Sequence, residues 1–349
     1  MFGLDSTIAA ILSLDGVTSG VIYGLIAIAL VLVFAVTRIL FLPQGEFVAF
    51  GALTLAMLQD GQVPGSVWLL LALAVCATAT ELFDLLRSRR TAGIARAVLN
   101  NLIVPAAIAG LAAWAAPRHF PLAVQVAISL LVVTAMGPLL YRVIYESLAD
   151  SSVLVLLIVS VGVHLGMTGL GLVFFGAEGF RTPPLVDARW SFAGASLSGQ
   201  TVVVVLAAMM LLVALWLFSE RTLYGKALRA TAVNRLGAQL MGISTSLAGR
   251  LSFAIAAFIG ALSGVLIGSL TTVFYDSGFL IGLKGFVAAT IGGLASYPLA
   301  AAGSLFVGLL ESFSSFWASD FKEVIVFIAL LPVLLWRSFA SPVHVEEEE

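Results

Sequence analysis

The sequence predicts an all-α, polytopic membrane protein, and three observations lead to this fold class. Hydrophobic residues make up 61% of the 349 residues and charged residues only 10%, whereas soluble domains contain about 45–50% and 25%. The mean hydropathy of +1.11 is that of a chain with many membrane spans rather than one anchor. The apolar runs are continuous rather than alternating, which argues against a transmembrane β-barrel.

Eleven apolar segments follow one another along the chain, so we predict about 10–11 transmembrane or re-entrant helices in one domain, 1–349. Several segments fall short of the ~20 residues that a straight span needs. Two of them, 46–58 and 279–294, are expected to be half-helices or re-entrant pieces that neighbouring helices cover. The segments are 16–39, 46–58, 66–86, 102–116, 122–141, 153–175, 201–218, 251–271, 279–294, 299–313 and 324–336.

The distribution of Lys and Arg predicts the orientation, because these residues are retained on the cytoplasmic side of spans. Alternation of the segments places twelve of the seventeen on one side and four on the other, with Lys284 in a span. The C-terminus is then cytoplasmic and the N-terminus lies outside. The twelve are Arg38, Arg87, Arg89, Arg90, Arg96, Arg142, Arg221, Lys226, Arg229, Arg235, Arg250 and Arg337; the four are Arg118, Arg181, Arg189 and Lys322.

A polar segment at 220–250 lies between two long apolar runs and carries five of the twelve cytoplasmic charges. It is much longer than the roughly 2–8 residues of most helix–helix links. Its Ala, Leu, Arg and Gln residues favour a helix. We interpret it as a short cytoplasmic helix held between two spans, suited to contact another protein; an ordinary positive-inside loop is the alternative.

Small residues recur four apart in two of the apolar segments. This spacing places them on one face of a helix, where a neighbouring helix can approach closely. We expect both sets to pack helices within the protein, and a solute-lining role is the alternative. The sets are Gly16, Gly20 and Gly24, and Ala256, Gly260, Gly264 and Gly268.

Charged side chains within the apolar segments are rare, since each costs about 2.5–3.5 kcal/mol at a lipid-facing helix centre. Gln44 and Glu46 stand at a break between two segments, where freed backbone groups can bind a solute or a partner helix. A structural hydrogen bond that fixes the break is the alternative for Glu46. Glu311 is expected to form an interhelical bond or to contact a solute.

Three further polar residues have simpler expected roles. Lys284 and Asp276 lie near a turn, from which we expect their side chains to snorkel to the membrane interface. His164 lies inside an apolar segment and is expected to be a satisfied interhelical hydrogen-bond donor. A ligand or proton-relay role for His164 is the alternative.

The sequence contains none of the catalytic patterns that we searched for. Three His and one Cys, without HExxH, supply too few soft ligands for a metal site. GxSxG is absent, and Glu220 occupies the position of the first P-loop glycine before Gly225-Lys226. We therefore expect a chain that is not an enzyme and has no metal or cofactor of its own.

Several motifs, in order along nearly the whole chain, resemble the permease of the branched-chain amino acid class of ABC importers. The residues GVIYGLIA at 20–27 resemble its opening G-x-I-Y-G-L-I-A, and QGEF at 44–47 with Gly51-Ala52 resembles H-G-E-F…G-A. The cytoplasmic coupling loop of the family is similar to ERT at 220–222, GKALRA at 225–230, Asn234-Arg235 and LMGI at 240–243. Its late signature is similar to GLKGFVAA at 282–289, GGL at 292–294 and GLLE at 308–311.

The chain departs from the family pattern in three places. FLPQ at 41–44 replaces Asn-Phe-Ala-His beside the expected solute path, and LGAQLMG at 236–242 lacks the first Glu of Glu-Ala-Ala-x-x-x-Gly. Residues 87–120 look like an insertion with room for one more pair of spans. The acidic tail at 342–349 is expected to be disordered and is given no role.

The resemblance implies the ABC importer permease fold in the bacterial cytoplasmic (inner) membrane. It implies three kinds of partner besides the lipid bilayer: a second homologous permease, two ATP-binding subunits that hold ATP and Mg, and a periplasmic solute-binding protein. Nucleic acid is not among them. The expected solute is an amino acid or a related small polar or organic-acid molecule.

The resemblance also implies which residues act. The coupling helix is expected at 229–242, where Arg229 and Arg235 offer charge-assisted bonds to an ATPase and Ala238 and Gly242 offer a close-packed face. The full set of expected coupling residues is Arg229, Asn234, Arg235, Ala238, Met241 and Gly242. The candidate solute-pathway residues are Gln44, Glu46, Lys284 and Glu311.

Two other functions are compatible with the sequence. A secondary ion- or proton-coupled transporter would work alone and would use the few intramembrane charges. An intramembrane enzyme is the third possibility, against which the absence of catalytic clusters counts.

Overall fold

The computed structural model describes residues 6–87, 93–192, 195–294 and 296–340, and this part of the chain is almost entirely helical. The tail at 342–349 lies outside the described residues, as do Arg89 and Arg90. The helices are α1 (Ser6–Thr37), α2 (Gln44–Gln59), α3 (Gly65–Arg87), α4 (Ile94–Val98), α5 (Val104–Ala115), α6 (Leu122–Leu140), α7 (Val153–Phe175), α8 (Gly199–Arg221), α9 (Leu223–Val233), α10 (Arg235–Leu240), α11 (Thr245–Ile267), α12 (Ser277–Ile291), α13 (Tyr297–Trp317), α14 (Lys322–Ile328) and α15 (Leu330–Ala340).

Each of the eleven apolar segments coincides with a helix or with consecutive helices, which confirms the all-α prediction. Eight helical units in the described residues are long and apolar enough to span a membrane. The chain is therefore a multi-pass membrane protein. The two short segments are α2 and α12, and the last segment is divided into α14 and α15. The eight units are Thr7–Thr37, Gly65–Arg87, Ile94–Arg118, Leu122–Leu148, Val153–Phe175, Gly199–Arg221, Thr245–Ile267 and Tyr297–Trp317.

The region 87–120 holds one membrane-length helical unit rather than a pair. This unit, Ile94–Arg118, joins α4 to α5 through a π-helical turn at Leu99–Ile103. Residues 88–92, which precede it, lie outside the described residues. The expectation of an added pair of spans is therefore wrong for the described part of this region, because its apolar residues form a single continuous helix.

A short antiparallel hairpin precedes α8 and was not expected from the sequence. Its strands, β1 (Arg189–Phe192) and β2 (Ala195–Ser198), pair Trp190 with Leu197. Four-residue strands leave too little alternation to separate them from a loop. Ser198 ends the hairpin and also starts α8, because its side chain accepts a hydrogen bond from the backbone N–H of Thr201.

The ends of several helices gather around α9 and α10. Val36 near the end of α1 packs with Leu228 of α9 and Ala248 near the start of α11. Ion pairs of 2.9 Å from Arg142 and 3.1 Å from Arg250 converge on Glu146, just beyond α6. We name this side of the bundle the α9–α10 end and the opposite side the far end.

The first glycine set lies between α1 and α13, which run antiparallel. A Cβ added to Gly16 would lie 2.9 Å from Leu309 Cα, and one added to Gly20 would lie 2.9 Å from Ser304 O. At Gly24 the added atom would meet Ser304 Oγ at 2.7 Å. The structure thus places these glycines at a helix contact inside the protein.

The second set lies between α11 and α2, which run in the same direction. Added Cβ atoms would lie 2.7 Å from Phe47 Cβ at Gly260, 2.9 Å from Ala52 N at Gly264 and 3.3 Å from Ala52 Cβ at Gly268. The backbone of α2 therefore rests directly on α11. This close contact buries α2 almost completely, as its short length predicts.

Candidate functional site

The half-helices α2 and α12 begin at the same point inside the bundle, and their first turns touch. A Cβ at Gly278 would lie 2.6 Å from Gly45 O, and one at Gly282 would lie 2.9 Å from Gly45 Cα. From this crossing α2 runs to the far end. The other half-helix, α12, runs to the α9–α10 end, because the following helix α13 is antiparallel to α1. The sequence analysis identified the break at this point but missed the glycine contact.

Gln44 and Glu46 hold the start of α2 to two different helices. The Gln44 amide donates to Ala256 O of α11 at 2.9 Å. Glu46, whose side chain is only 1% exposed, pairs through Oε1 with His164 Nδ1 of α7 at 2.9 Å. Glu46 Oε2 and Gln44 Oε1 are buried without a hydrogen-bond partner in the described part of the chain.

His164 also connects this cluster to α12. Its ring stacks on Phe279 with the centroids 4.5 Å apart, and Thr168 Oγ1 lies 3.5 Å from both Glu46 Oε1 and His164 Nδ1. Thr168 and Phe279 were not singled out from the sequence. The four side chains link α2, α7 and α12 at the crossing, and His164 is an interhelical partner, as expected.

His164→Leu is expected to destabilise the protein by about 1–3 kcal/mol, because both oxygens of the buried Glu46 carboxylate would then lack a strong partner. The measurement is thermal unfolding of the detergent-purified variant. Leu165→Ala serves as the control, since Leu165 lies next along α7 with its side chain exposed. Equal losses in both variants would contradict a specific role for the Glu46–His164 pair.

Lys284 and Glu311 form a second buried cluster. Lys284 Nζ lies 2.6 Å from Glu311 Oε1 and 3.2 Å from Glu323 Oε1, and the Lys284 side chain is only 7% exposed. Tyr23 donates its hydroxyl to Glu311 Oε2 at 2.5 Å. The expectation that Lys284 snorkels to an interface is wrong, because two carboxylates and α12 itself hold the ammonium inside.

The four candidate pathway residues therefore divide into two clusters. Within the described residues, no hydrogen bond or ion pair joins Gln44 or Glu46 to Lys284 or Glu311. Gly282 of α12 faces Gly45, whereas Lys284 faces α13 and α14. The two clusters thus lie on different faces of α12, and a motion of this half-helix would affect both.

The polar segment 220–250 folds into α9 and α10, two short helices with separate caps. The Thr222 hydroxyl accepts from Gly225 N at 2.9 Å, and Asn234 Oδ1 accepts from Gly237 N at 2.8 Å. The segment is therefore not one helix over 229–242, because Asn234 leaves the helical conformation and caps a new one.

Several expected coupling residues already form bonds or are buried within their own chain. Arg229 pairs with Glu220 at 2.9 Å, and Arg235 donates to Ala149 O at 3.0 Å. Ala238 is buried against its own chain. Both guanidinium groups are therefore paired within the chain, and the Arg229–Glu220 pair lies at the surface, with the Arg229 side chain 50% exposed.

Gly242 has no neighbour within 4 Å of an added Cβ, so close packing does not explain a glycine there. The φ of 82° at this position explains the glycine, because this left-handed conformation strains residues that have a side chain. Met241 beside it is 82% exposed and Leu240 is 80% exposed.

An apolar groove of about 480 Å³ runs between α9 and α10. Two exposed apolar side chains, Val233 and Met241, line it, and others lie on the same two short helices, outside the eight membrane-length units. Such a surface is typical of a contact with another protein or with a membrane. The sequence analysis named only Met241 among the exposed apolar side chains, which are Leu223, Val233, Leu236, Leu240 and Met241.

Comparison with known proteins agrees with these features. Residues 12–334 match the family described as "Branched-chain amino acid transport system / permease component". The branched-chain amino acid permease protein LivH of Escherichia coli is 31% identical over 214 residues, which cover 59% of this chain and 70% of that protein. BraD of Pseudomonas aeruginosa is 30% identical over 60% of this chain and 71% of its own length.

A more distant relative is the probable LivH permease of Methanocaldococcus jannaschii, 25% identical over 60% of this chain and 68% of that protein. No solved structure matches the chain. The family match covers most of the chain and includes the crossing, both buried clusters and the α9–α10 groove. The chain therefore belongs to the family of permease components of branched-chain amino acid transport systems.

Proposed function

We propose that this protein is the non-catalytic permease subunit of an ATP-driven importer of amino acids or a closely related small solute, in the bacterial inner membrane. The observation that carries the proposal is the exposed apolar groove between α9 and α10, immediately beside the spans. Exposed apolar surface is unfavourable in water, so we do not expect it on a membrane protein that works without a partner. Family membership and the names of the relatives support transport of an amino acid.

The crossing of α2 and α12 supports a transport pathway near the middle of the bundle. Transporters often form solute sites where discontinuous helices point their N-termini at one place, because the helix dipoles and free backbone groups bind polar solutes. Glu46, with one unpartnered carboxylate oxygen, is our proposed pathway residue there. Gln44 lies beside it, while Lys284 and Glu311 are proposed to stabilise α12 rather than to contact the solute directly.

The proposed partners follow from the two ends of the bundle. Two ATP-binding subunits would dock at the α9–α10 end and would bind the ATP and Mg. This end would then be cytoplasmic, as would the C-terminus. A second homologous permease and a periplasmic solute-binding protein would complete the importer. Movement of α9 and α10 upon ATPase closure would reach α1 and α11 through the contact of Leu228 with Val36 and Ala248.

Leu240→Asp is expected to reduce recovery of the ATP-binding subunit in a co-purification by about tenfold or more, because it buries an unpaired charge at the contact. The measurement is the amount of ATP-binding subunit that a tagged permease retains from co-expressing cells. Val186→Asp is the matched control, since Val186 is exposed between α7 and β1. Equal recovery with both variants, or no recovery with the unmodified chain, would contradict the proposal.

A secondary carrier is the second candidate function, because Glu46 and His164 form a buried pair of ionisable side chains that a coupled ion could use. Such a carrier would transport solute without an ATP-binding subunit. It would also leave the apolar groove at α9 and α10 without a purpose, which is why we favour the ATP-driven importer.

A further inference from the structure

A cavity of about 370 Å³ opens at the far end of the bundle, where α2 ends and α6 begins. This volume lies in the range of about 300–1,000 Å³ that is typical of small-ligand sites. Its lining combines apolar residues, Leu122 and Phe180 among them, with polar and charged ones. None of these residues belongs to the Glu46 cluster, the Lys284 cluster or the α9–α10 groove.

Arg181 is an exposed residue that lines this cavity, and its guanidinium is only partly bonded within the chain. Its Nε and Nη2 donate to Ser269 O at 3.4 and 3.3 Å, and Nη2 also donates to Leu270 O at 3.2 Å. Nη1 has no hydrogen-bond partner in the described residues. Its two N–H groups are therefore available, and guanidinium groups bind carboxylates strongly.

Asp60 lines the same cavity from the end of α2. Its carboxylate forms no hydrogen bond or ion pair within the described residues, and no ion pair within 4.0 Å joins it to Arg181. Opposite charges that share one cavity without meeting each other leave both charges available to a ligand.

Gln125 of α6 supplies a separate indication of a ligand. The residue is only 8% exposed and lines the cavity, yet its side-chain amide has no hydrogen-bond partner in the part of the chain that the structure describes. Neither polar atom of the amide is among the fully buried unpartnered atoms of the described residues, so the amide is reached from the cavity. A polar ligand in the cavity would satisfy it.

We propose that this cavity binds a small zwitterionic amino acid. The ammonium group contacts Asp60, the carboxylate contacts Nη1 of Arg181, Gln125 hydrogen-bonds to the bound molecule, and an apolar side chain packs on Leu122 and Phe180. The inference rests on the proposed function in taking an amino acid as the solute. It assigns the permease its own amino acid site at the far end, separate from the crossing.

The cavity is connected to the crossing through the chain between α11 and α12. Arg181 is bonded to Ser269 and Leu270 of this connection, and Phe180 forms a two-hydrogen-bond bridge with Val273, at 2.9 Å for each bond. The connection ends at α12, whose first turn touches Gly45. An amino acid bound at Arg181 therefore contacts the segment that positions α12.

The test is calorimetric titration of the full chain in lipid nanodiscs with L-leucine and two analogues. Isocaproate lacks the ammonium group and isoamylamine lacks the carboxylate. We expect L-leucine to bind about tenfold or more tightly than either analogue, because each loses one charge-assisted contact. Asp60→Asn should weaken L-leucine binding by about tenfold and leave isocaproate binding unchanged, since Asp60 makes no contact on which the fold depends.

Glu178→Gln is the control, because Glu178 is an exposed carboxylate outside the cavity. Absence of L-leucine binding, equal binding of isocaproate, or unchanged affinity in Asp60→Asn would each overturn the proposal. The competing occupant of the cavity is a loop of the solute-binding protein. If Asp60→Asn weakens binding of that protein and the chain binds no L-leucine, the proposal of an amino acid site is also overturned. The titration uses no ATP and no ATPase, so its failure is distinguishable from a failure of ATP-driven uptake.

Discussion

Gly45→Val is expected to destabilise the protein by about 3 kcal/mol or more, the upper part of the range for overpacked sites, and to abolish solute uptake. Gly45 lies against the backbone of Gly278 and Gly282. A side chain there would meet backbone rather than a flexible side chain that could move away. The two half-helices would therefore have to separate, and the crossing would be lost.

The measurements are thermal unfolding of the purified variant and uptake of labelled solute by cells that express it. Gly169→Val is the matched control, because Gly169 lies in α7 with nothing within 4 Å of an added Cβ. Normal stability and uptake of Gly45→Val would show that α2 and α12 do not cross as described.

Lys284→Met is expected to destabilise the protein by about 3 kcal/mol, the lower end of the range for a broken buried ion pair, because it leaves two partly buried carboxylates without their cation. Glu311 would retain only the Tyr23 hydroxyl, and Glu323 would lose its one ion pair in the described residues. The double variant Lys284→Met/Glu311→Gln should recover part of this loss, since it removes one uncompensated charge.

Thermal unfolding of the single and double variants measures this effect. Lys322→Met is the control, because Lys322 forms no ion pair in the described residues. If the double variant is less stable than Lys284→Met alone, the Lys284–Glu311 ion pair does not explain the stability of this region.

The architecture was largely predictable because hydropathy reports burial in lipid directly. The segments around α1, α7 and α8 are long, apolar and bounded by polar residues, so their helices follow from composition alone. The lengths of α2 and α12 identified them as half-helices for the same reason. The family resemblance added the role that we propose for the segment between α8 and α11.

The contacts between distant residues were not predictable. Glu46 and His164 are separated by 118 positions and Tyr23 and Glu311 by 288, and single-sequence periodicity says nothing about such pairs. The family resemblance contains one indication of the Tyr23–Lys284–Glu311 cluster. Tyr23, Lys284 and Glu311 each lie in a different motif that resembles the family, which is consistent with their meeting in one cluster.

The α9–α10 segment shows what charge alone does not reveal about the surface that we propose as a docking site. Arg229 and Arg235 were favoured as partner contacts because they are cationic, yet both are held by their own chain. Leu240 and Met241 are more exposed than Arg229, and their apolar character in a polar segment is a second signal for the proposed docking surface.

We propose that an ATPase docked at α9 and α10 drives transport, and uptake by the reconstituted complex tests this proposal. The permease, its co-purified subunits and the solute-binding protein are reconstituted in liposomes, and uptake of labelled L-leucine is followed with and without ATP on the α9–α10 side. We predict uptake that requires ATP, survives ionophores and is lost in Leu240→Asp. Uptake that proceeds without ATP and collapses when ionophores remove the ion gradients would contradict the account.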